Sequence, residues 1–493
     1  MSRQDAAVAP EVDSQAKSAN KPKVGFVSLG CPKNLVDSEV MMGLLSQAGA
    51  QLISRAEDAD VIVVNTCSFI ESAQQESVNA ILEMARHKID GRVRKLVVAG
   101  CLVERFRDEI CKSIPEVDAV VGTGELQNIL QAAGMSATAA VDSPFRILNS
   151  RPESEARTAQ GRFSRESWDG AIADLPNYLY DERTPRVLAT PSYTAYIKIA
   201  EGCDHPCSFC IIPQIRGRFR SRRFESVIAE AERLARSGVR EITLIGQDTT
   251  CYGEDFDLKN GLALLLEKLA RVEDLSWIRF LYAYPNKISG RLLEVIAAHD
   301  KICSYLDVPL QHASASVLKR MKRGGGADVF LRSMEKIRRA IPDVTLRTSF
   351  IVGFPGETEK DFEQLCDFVR EAEFDWMGCF GYSDQEGAGS FSLEEKISGR
   401  EIELRRKHLM QIQRRISKRK KQAQLGKEFE LLLEGPSAES ELLLEGRTQM
   451  HAPEIDGKVF VNDMPEGLPV ESGRFYRCVI TEAHDYDMVA KIV

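Results

Sequence analysis

The alternation of apolar and polar positions divides the chain into three patterned stretches. From Lys23 to about Val141, short apolar runs (KVGFVSLG, ADVIVVNT and KLVVAG) alternate with segments of helical period, from about Ser38 to Ala48 and from about Ala73 to Arg86. Such alternation predicts a doubly wound parallel sheet. From Tyr193 to about Tyr382 it resumes with six strand candidates, TAYIKIA, REITLIG, SWIRFLYA, SYLDVP, TLRTSFIVG and FDWMGCFGY. Helix candidates begin near Glu225, Gly261, Ser289, Ser314, Asp328 and Glu359. Six repeats predict a partial (β/α)6 barrel, with its working end at the C-terminal ends of the strands. From Lys427 onward, short strands and glycine turns (KEFELLLEG, ELLLEGRTQM, KVFVND and RFYRCVITEAHDYDMVAKIV) predict a small β-barrel.

The fold class is therefore α/β multidomain, with expected domains at 23–141, 192–399 and 427–493. Residues 1–22 read as a polar, disordered tail, 142–191 as a linker or insertion, and 400–426 as a basic linker helix. Trp168, Tyr178 and Tyr180 suggest that part of the insertion docks on a domain surface.

Composition narrows the setting. A chain of 493 residues with 28% charged and 43% apolar residues suits two to four ordinary domains. No apolar run reaches 18 residues, and the N-terminal stretch has no apolar centre, so neither a membrane span nor an export signal is expected. The expected location is the cytoplasm. In that reducing setting the twelve cysteines are metal ligands, catalytic groups or core residues, not disulfides. A net charge of -8 gives no global attraction to nucleic acid.

Two sets of cysteines have a pattern. Cys203, Cys207 and Cys210 form C-x3-C-x2-C directly after a strand candidate, in EGCDHPCSFC. A closed structural zinc needs four ligands, whereas a 4Fe-4S cluster on three cysteines keeps one iron open for a substrate or cofactor. A zinc site completed by His205 is the alternative, although His205 reads better as a loop histidine. Cys31, Cys67 and Cys101 each follow one of the three N-terminal apolar runs. In an open α/β sheet, ligands bind at the carboxyl ends of the strands, so these three would share one edge as a second three-thiolate site. The alternative is ordinary buried cysteine. Cys111 reads as core, and Cys251, Cys303, Cys366 and Cys379 as structural.

Other groups are expected at the barrel mouth: Gly246-Gln247-Asp248, Tyr284-Pro285, Gln311-His312 and Gly353-Phe354-Pro355-Gly356. The last can bring backbone close to a cofactor, or can simply turn a strand into a helix. Arg216, Arg218, Arg220, Arg222 and Arg223 could position an anion or form a solvated basic face. The helix from Arg400 carries a dense run of Lys and Arg, which suits either RNA phosphates or solvent. The stretch 427–493 has fourteen acidic against six basic residues, a balance that repels phosphates and attracts a basic partner.

The cysteine loop with Phe209 before its last cysteine resembles the radical S-adenosylmethionine (SAM) enzymes. With a three-cysteine N-terminal domain and a tail similar to the TRAM domain, the chain from Lys23 to Val493 resembles the methylthiotransferases. VSLGCPKNLVDSE (Val27–Glu39), KIAEGCDH (Lys198–His205) and LDVPLQHA (Leu306–Ala313) resemble the branch that modifies an aspartate of ribosomal protein uS12. The tRNA-modifying branch has Gln-Met-Asn where this chain has Pro32-Lys33-Asn34. Pro206 and Gly324-Gly325-Gly326 depart from the family pattern, and the departures fall on loops rather than on a cluster cysteine.

The resemblance implies two 4Fe-4S clusters, one on Cys203, Cys207 and Cys210 and one on Cys31, Cys67 and Cys101. It also implies SAM as radical source and methyl donor, with Phe209, Gly246, Gln247, Gln311, Gly353 and Gly356 as candidate SAM contacts. The implied partners are uS12 or the small ribosomal subunit, a low-potential electron donor and a sulfur donor. Two alternatives stand beside this reading: a tRNA adenosine methylthiotransferase, and a non-catalytic iron-sulfur electron carrier or RNA-binding protein.

Overall fold

The computed structural model describes residues 21–135, 176–440 and 442–493. Its N-terminal sheet has five parallel strands: β1 (Lys23–Ser28), β2 (Gln51–Ile53), β3 (Val61–Thr66), β4 (Lys95–Gly100) and β5 (Ala119–Val121). Their order is β2-β1-β3-β4-β5. The short β2 and β5 carry too few apolar residues to stand out in the sequence. Helices α2 (Glu71–Ile89) and α3 (Cys101–Ser113) cover one face through Ile81, Met84, Leu102 and Ile110. Helices α1 (Pro32–Gln47) and α4 (Ile129–Ala132) cover the other through Val36, Val40, Met41, Leu45 and Ile129. The sheet is thus doubly wound, and its order reverses between β1 and β3, where ligands bind in such folds.

Helix α1 begins at Pro32, six residues before the expected start, because proline fixes the φ of a first helical turn and lacks the N–H that would be left unpaired there. Cys31 thereby becomes the residue that caps the helix. Cys111, expected in the core, is exposed. A non-helical residue, Phe106, interrupts α3 and resets its buried face to Ile110, leaving Cys111 outward.

The central unit contains all six expected strands: β6 (Thr194–Lys198), β9 (Glu241–Ile245), β10 (Trp277–Phe280), β11 (Tyr305–Asp307), β12 (Thr345–Val352) and β13 (Trp376–Gly381). A two-strand ribbon, β7 (Ala200–Glu201) with β8 (Arg220–Ser221), and a short helix α5 (Ile212–Arg216) frame the cysteine loop. The outer helices are α6 (Phe224–Arg236), α7 (Gly261–Leu269), α8 (Gly290–Ala298), α9 (Ala315–Arg320), α10 (Ala327–Ala340) and α11 (Glu359–Ala372). They and the outward strand residues form one apolar cluster. The strands pair as β10-β9-β6 and β11-β12-β13, joined by a bridge between Ile278 and Ile302.

The inward strand residues Tyr196, Ile245, Trp277, Leu281, Tyr305 and Trp376 share a different cluster with α1 and its face of the N-terminal sheet. The open partial barrel and the N-terminal domain therefore bury one continuous core. The segment from Tyr178 to Val187 ties them together, as expected for Tyr178 and Tyr180. Arg186 pairs with Glu39 of α1 and Glu230 of α6. Trp168 lies outside the described residues.

Helix α12 (Gly399–Gln422) is part of the barrel wall rather than a linker. Leu409 and Ile416 join the outer core, and Gln413 donates to the Phe374 carbonyl. Its cations are largely spent on carboxylates: Arg405 on Glu357, Arg414 on Asp485, Arg419 on Glu373 and Lys420 on Asp375. That pairing removes much of the positive field an RNA would need.

Strands β14 (Glu428–Pro436), β15 (Leu444–Arg447), β16 (Val459–Asp463), β17 (Phe475–Ala483) and β18 (Met488–Ile492) close into a barrel in the order β14-β15-β16-β18-β17. Its segment Arg447–Asp456 plugs the N-terminal end of the large barrel. Glu241 accepts from Arg279 and Arg447, Asp456 accepts from Tyr305 and pairs with Arg347, and Trp376 donates to the Met450 carbonyl. The opposite end remains for chemistry.

Candidate active site

At the C-terminal edge of the N-terminal sheet, Cys31 caps α1, Cys67 follows β3 and Cys101 opens α3. Gly30 has φ of 91°, and a Cβ there would lie 2.8 Å from the Cβ of Cys67, so only glycine lets these two loops approach. The three thiols are close enough for Cys31 to raise the pKa of both Cys67 and Cys101. Burial dominates those two, pushing Cys101 up to about 12. Burial also acts on Cys31, but Lys33 and Arg216 outweigh it and lower its pKa. Arg216 Nη2 lies 3.3 Å from Cys101 Sγ.

The second set lies on one loop. The amide of Cys210 donates to the Cys207 carbonyl at 3.2 Å, closing a tight turn. The amide of Ile212 donates to Cys210 Sγ at 3.4 Å, and Arg323 Nη1 lies 3.7 Å from Cys207 Sγ. Burial raises Cys203 to about 11 and Cys210 to about 12. His205 Nε2 is 2.6 Å from Asp248 Oδ2, and its ring stacks on Tyr284 at 4.0 Å. Asp248 also accepts from Cys251 and Thr250. These bonds brace His205, and with it the loop, against the barrel.

Both sets fit iron-sulfur clusters by the chemistry of their donors: three converging thiols, N–H groups aimed at sulfur and nearby guanidinium groups that offset thiolate charge. Three neutral thiols would need none of these cations.

A buried group of charges joins the two sets. Lys198 Nζ bonds Asp37 at 2.5 Å and Glu201 at 2.6 Å. Arg216 bonds Asp37 at 2.5 Å, Glu201 at 3.3 Å and Asn34 at 3.1 Å. Burial would raise Glu201, yet Lys198 and Arg216 hold it down at about 2. Arg216, considered in the sequence as a possible anion-positioning group, instead faces the N-terminal cysteines. Arg220 donates to the carbonyls of Arg216, Arg218 and Tyr178, while Arg222 pairs with Glu230, so both are structural. The segment just after β10 reaches a residue beside each set: Lys33 Nζ sits 3.4 Å from the Tyr282 ring centre, and His205 stacks on Tyr284.

Among the candidate SAM contacts, Phe209 packs against the barrel core. Gly246 follows β9, and Gln247 donates to Glu201 at 2.5 Å while its Oε1 is buried without a partner. Gln311 has φ of 74° and lies against β12. A Cβ at Gly353 would run into Ile402, and one at Gly356 into Arg320. The amides of Gly353 and Phe354 are held by the Glu357 carboxylate. That turn is shaped by its packing as well as by whatever it faces. Asp37, Lys198, Tyr282 and Arg323 belong to no spaced motif in the sequence; of these, Lys198 inside an apolar strand is the detectable signal, because a buried lysine requires a partner.

Three family profiles match the chain: the uncharacterized protein family UPF0004 over residues 23–122, the radical SAM superfamily over 197–369 and the TRAM domain over 425–493. A curated protein of Koribacter versatilis, the ribosomal protein uS12 methylthiotransferase RimO, is 66% identical, covering 98% of this chain and all (100%) of its relative. The chain belongs to the family of ribosomal protein uS12 methylthiotransferases. Its counterpart in Solibacter usitatus, also named RimO, is 54% identical over 96% of this chain and 95% of its own length. As a member of the family, the chain is a radical SAM enzyme and a transferase, and its cofactors are 4Fe-4S clusters and SAM. In three dimensions it is similar to the radical SAM methyltransferase TsrM of Kitasatospora setae, with a TM-score of 0.52 at 16% identity, covering 75% of this chain and 74% of that one. That likeness concerns the fold. No helix among the described residues is long and apolar enough to cross a membrane.

Proposed function

We propose that the chain methylthiolates the β-carbon of an aspartate in ribosomal protein uS12, in the cytoplasm. The observation that carries the reading is the segment just after β10, where Tyr282 meets Lys33 beside Cys31 and Tyr284 meets His205 between Cys203 and Cys207. A target carbon held beside that segment would lie near both cysteine sets. The acidic balance of 427–493 suits a basic ribosomal protein, and the relatives' names supply the substrate.

Cys203, Cys207 and Cys210 would hold the cluster that binds SAM, and Cys31, Cys67 and Cys101 the second. When bound, these groups supply the electron, the radical needed to remove an unactivated β-hydrogen, an iron open to sulfur, and the methyl group. The chain's own part is positioning. His205, braced by Asp248 and Tyr284, fixes the loop of the first cluster. Arg216 and Lys198, neutralised by Asp37 and Glu201, fix the distance between the two sets. Phe209, Gly246, Gln247, Gln311, Gly353 and Gly356 line or shape the SAM site. A low-potential electron donor and a sulfur donor complete the reaction.

The test is mass spectrometry after anaerobic incubation of the reconstituted enzyme with SAM, reductant and sulfide, offering ribosomal small subunits and tRNA separately. A methylthio mass gain on a uS12 aspartate is expected. The same gain on adenosine, or none on either, refutes the reading.

A further inference from the structure

Lys33 is a cation beside the N-terminal cysteine set, with the Cys31 thiol as a neighbour and a place against the Tyr282 ring. The buried group next to it is neutral in itself, with Lys198 and Arg216 against Asp37 and Glu201. Lys33 has no carboxylate within ion-pair distance among the described residues. Its neighbours are the face of Tyr282, 3.4 Å from the ring centre, the Cys31 thiol and the like-charged Arg216. Tyr282 is itself held in the left-handed region at φ of 63°, unusual for an aromatic residue, and its amide donates to Asp307. Asp307 is not free to serve Lys33, because it pairs with Arg347 at 2.9 Å. A cation set against an aromatic face at the junction of two sites is placed to meet an anion.

We infer that Lys33 recognises the side-chain carboxylate of the aspartate that the enzyme modifies. This inference rests on the function proposed above. The carboxylate is bonded directly to the carbon that reacts, so one charge-assisted hydrogen bond of about 2.8 Å to Lys33 fixes the β-carbon between the cysteine sets. It also selects against asparagine, whose amide brings no charge to the ammonium. Lys33 is thus a specificity-determining residue.

The test measures binding of uS12, and of uS12 with its target aspartate changed to asparagine, to the reconstituted full-length enzyme under anaerobic conditions by fluorescence anisotropy. The enzyme as it stands should prefer the aspartate form by roughly tenfold or more. Lys33→Gln should bring the ratio to about one, and Lys33→Arg should retain most of it; iron content is measured for each variant, and the variants are compared only at equal iron loading. A preference that survives in Lys33→Gln, or no preference in the unaltered enzyme, overturns the inference. SAM affinity is measured in the same variants: a fall in SAM affinity with the uS12 ratio unchanged would assign Lys33 to the SAM carboxylate and also overturn it. Failure of the unaltered enzyme to bind or modify uS12 removes the proposed function itself, whereas an unchanged ratio with uS12 still modified removes only the role of Lys33.

Discussion

The two cysteine sets each present three thiols, in opposite ways. Cys203, Cys207 and Cys210 lie on one tight loop, and the chain between them does the positioning. Cys31, Cys67 and Cys101 come from three strand ends, and only the sheet brings them together. The local set is braced by His205, Asp248, Tyr284 and Arg323, all of the barrel. The dispersed set depends on Arg216 from the barrel, which reaches across to Cys101 and Asp37. A local site tolerates change elsewhere in the fold, whereas a dispersed one inherits every shift of the domains that build it.

The largest effects separate the sets by chemistry. Cys203→Ala should abolish 5'-deoxyadenosine formation, measured by chromatography, and a variant that still makes it would end the division of roles. Cys67→Ala should keep SAM cleavage while eliminating methylthio transfer to uS12; unchanged product yield would remove this set from sulfur delivery.

A smaller effect tests dependence between domains. Arg216→Leu leaves Asp37 and Glu201 sharing only Lys198 in a buried site, which should cost about 3–5 kcal/mol and lower the thermal midpoint. It should also reduce iron retained by the dispersed set more than by the local one, as read from the two clusters' spectra in single-set variants. Asp248→Asn should do the reverse. It weakens the charged hydrogen bond to His205, worth about 1.5–3 kcal/mol, and disturbs those from Cys251 and Thr250, so the local cluster should be lost faster in air while the dispersed one is unaffected.

The smallest effect concerns pH. Glu201 titrates at about 2 in the fold, below its usual carboxylate range. The unfolded chain therefore takes up the proton first as pH falls, so this group's stabilisation is complete above about 4.5 and is lost between there and 2. Thermal midpoints of Glu201→Gln should accordingly be lower at neutral pH and fall less steeply across that window. An acid limb of unchanged slope would show that Glu201 is not its source.

The sequence by itself determined the strand-helix alternation of the two α/β units, the small terminal barrel and the C-x3-C-x2-C loop, because period and short-range spacing are local properties of the chain. It also marked Cys31, Cys67 and Cys101, since each follows an apolar run whose end must lie at one sheet edge. Tertiary structure alone decided that α12 belongs to the barrel wall, that the terminal barrel plugs the large barrel's N-terminal end, and that Arg216 serves the N-terminal cysteines. Those depend on contacts between residues far apart in the chain, apolar for Leu409 and Ile416 and charged for Arg216 with Asp37 and Arg447 with Glu241. A charged residue in a sequence announces that it needs a partner if it is buried, but which partner it finds is fixed only when the domains close on one another.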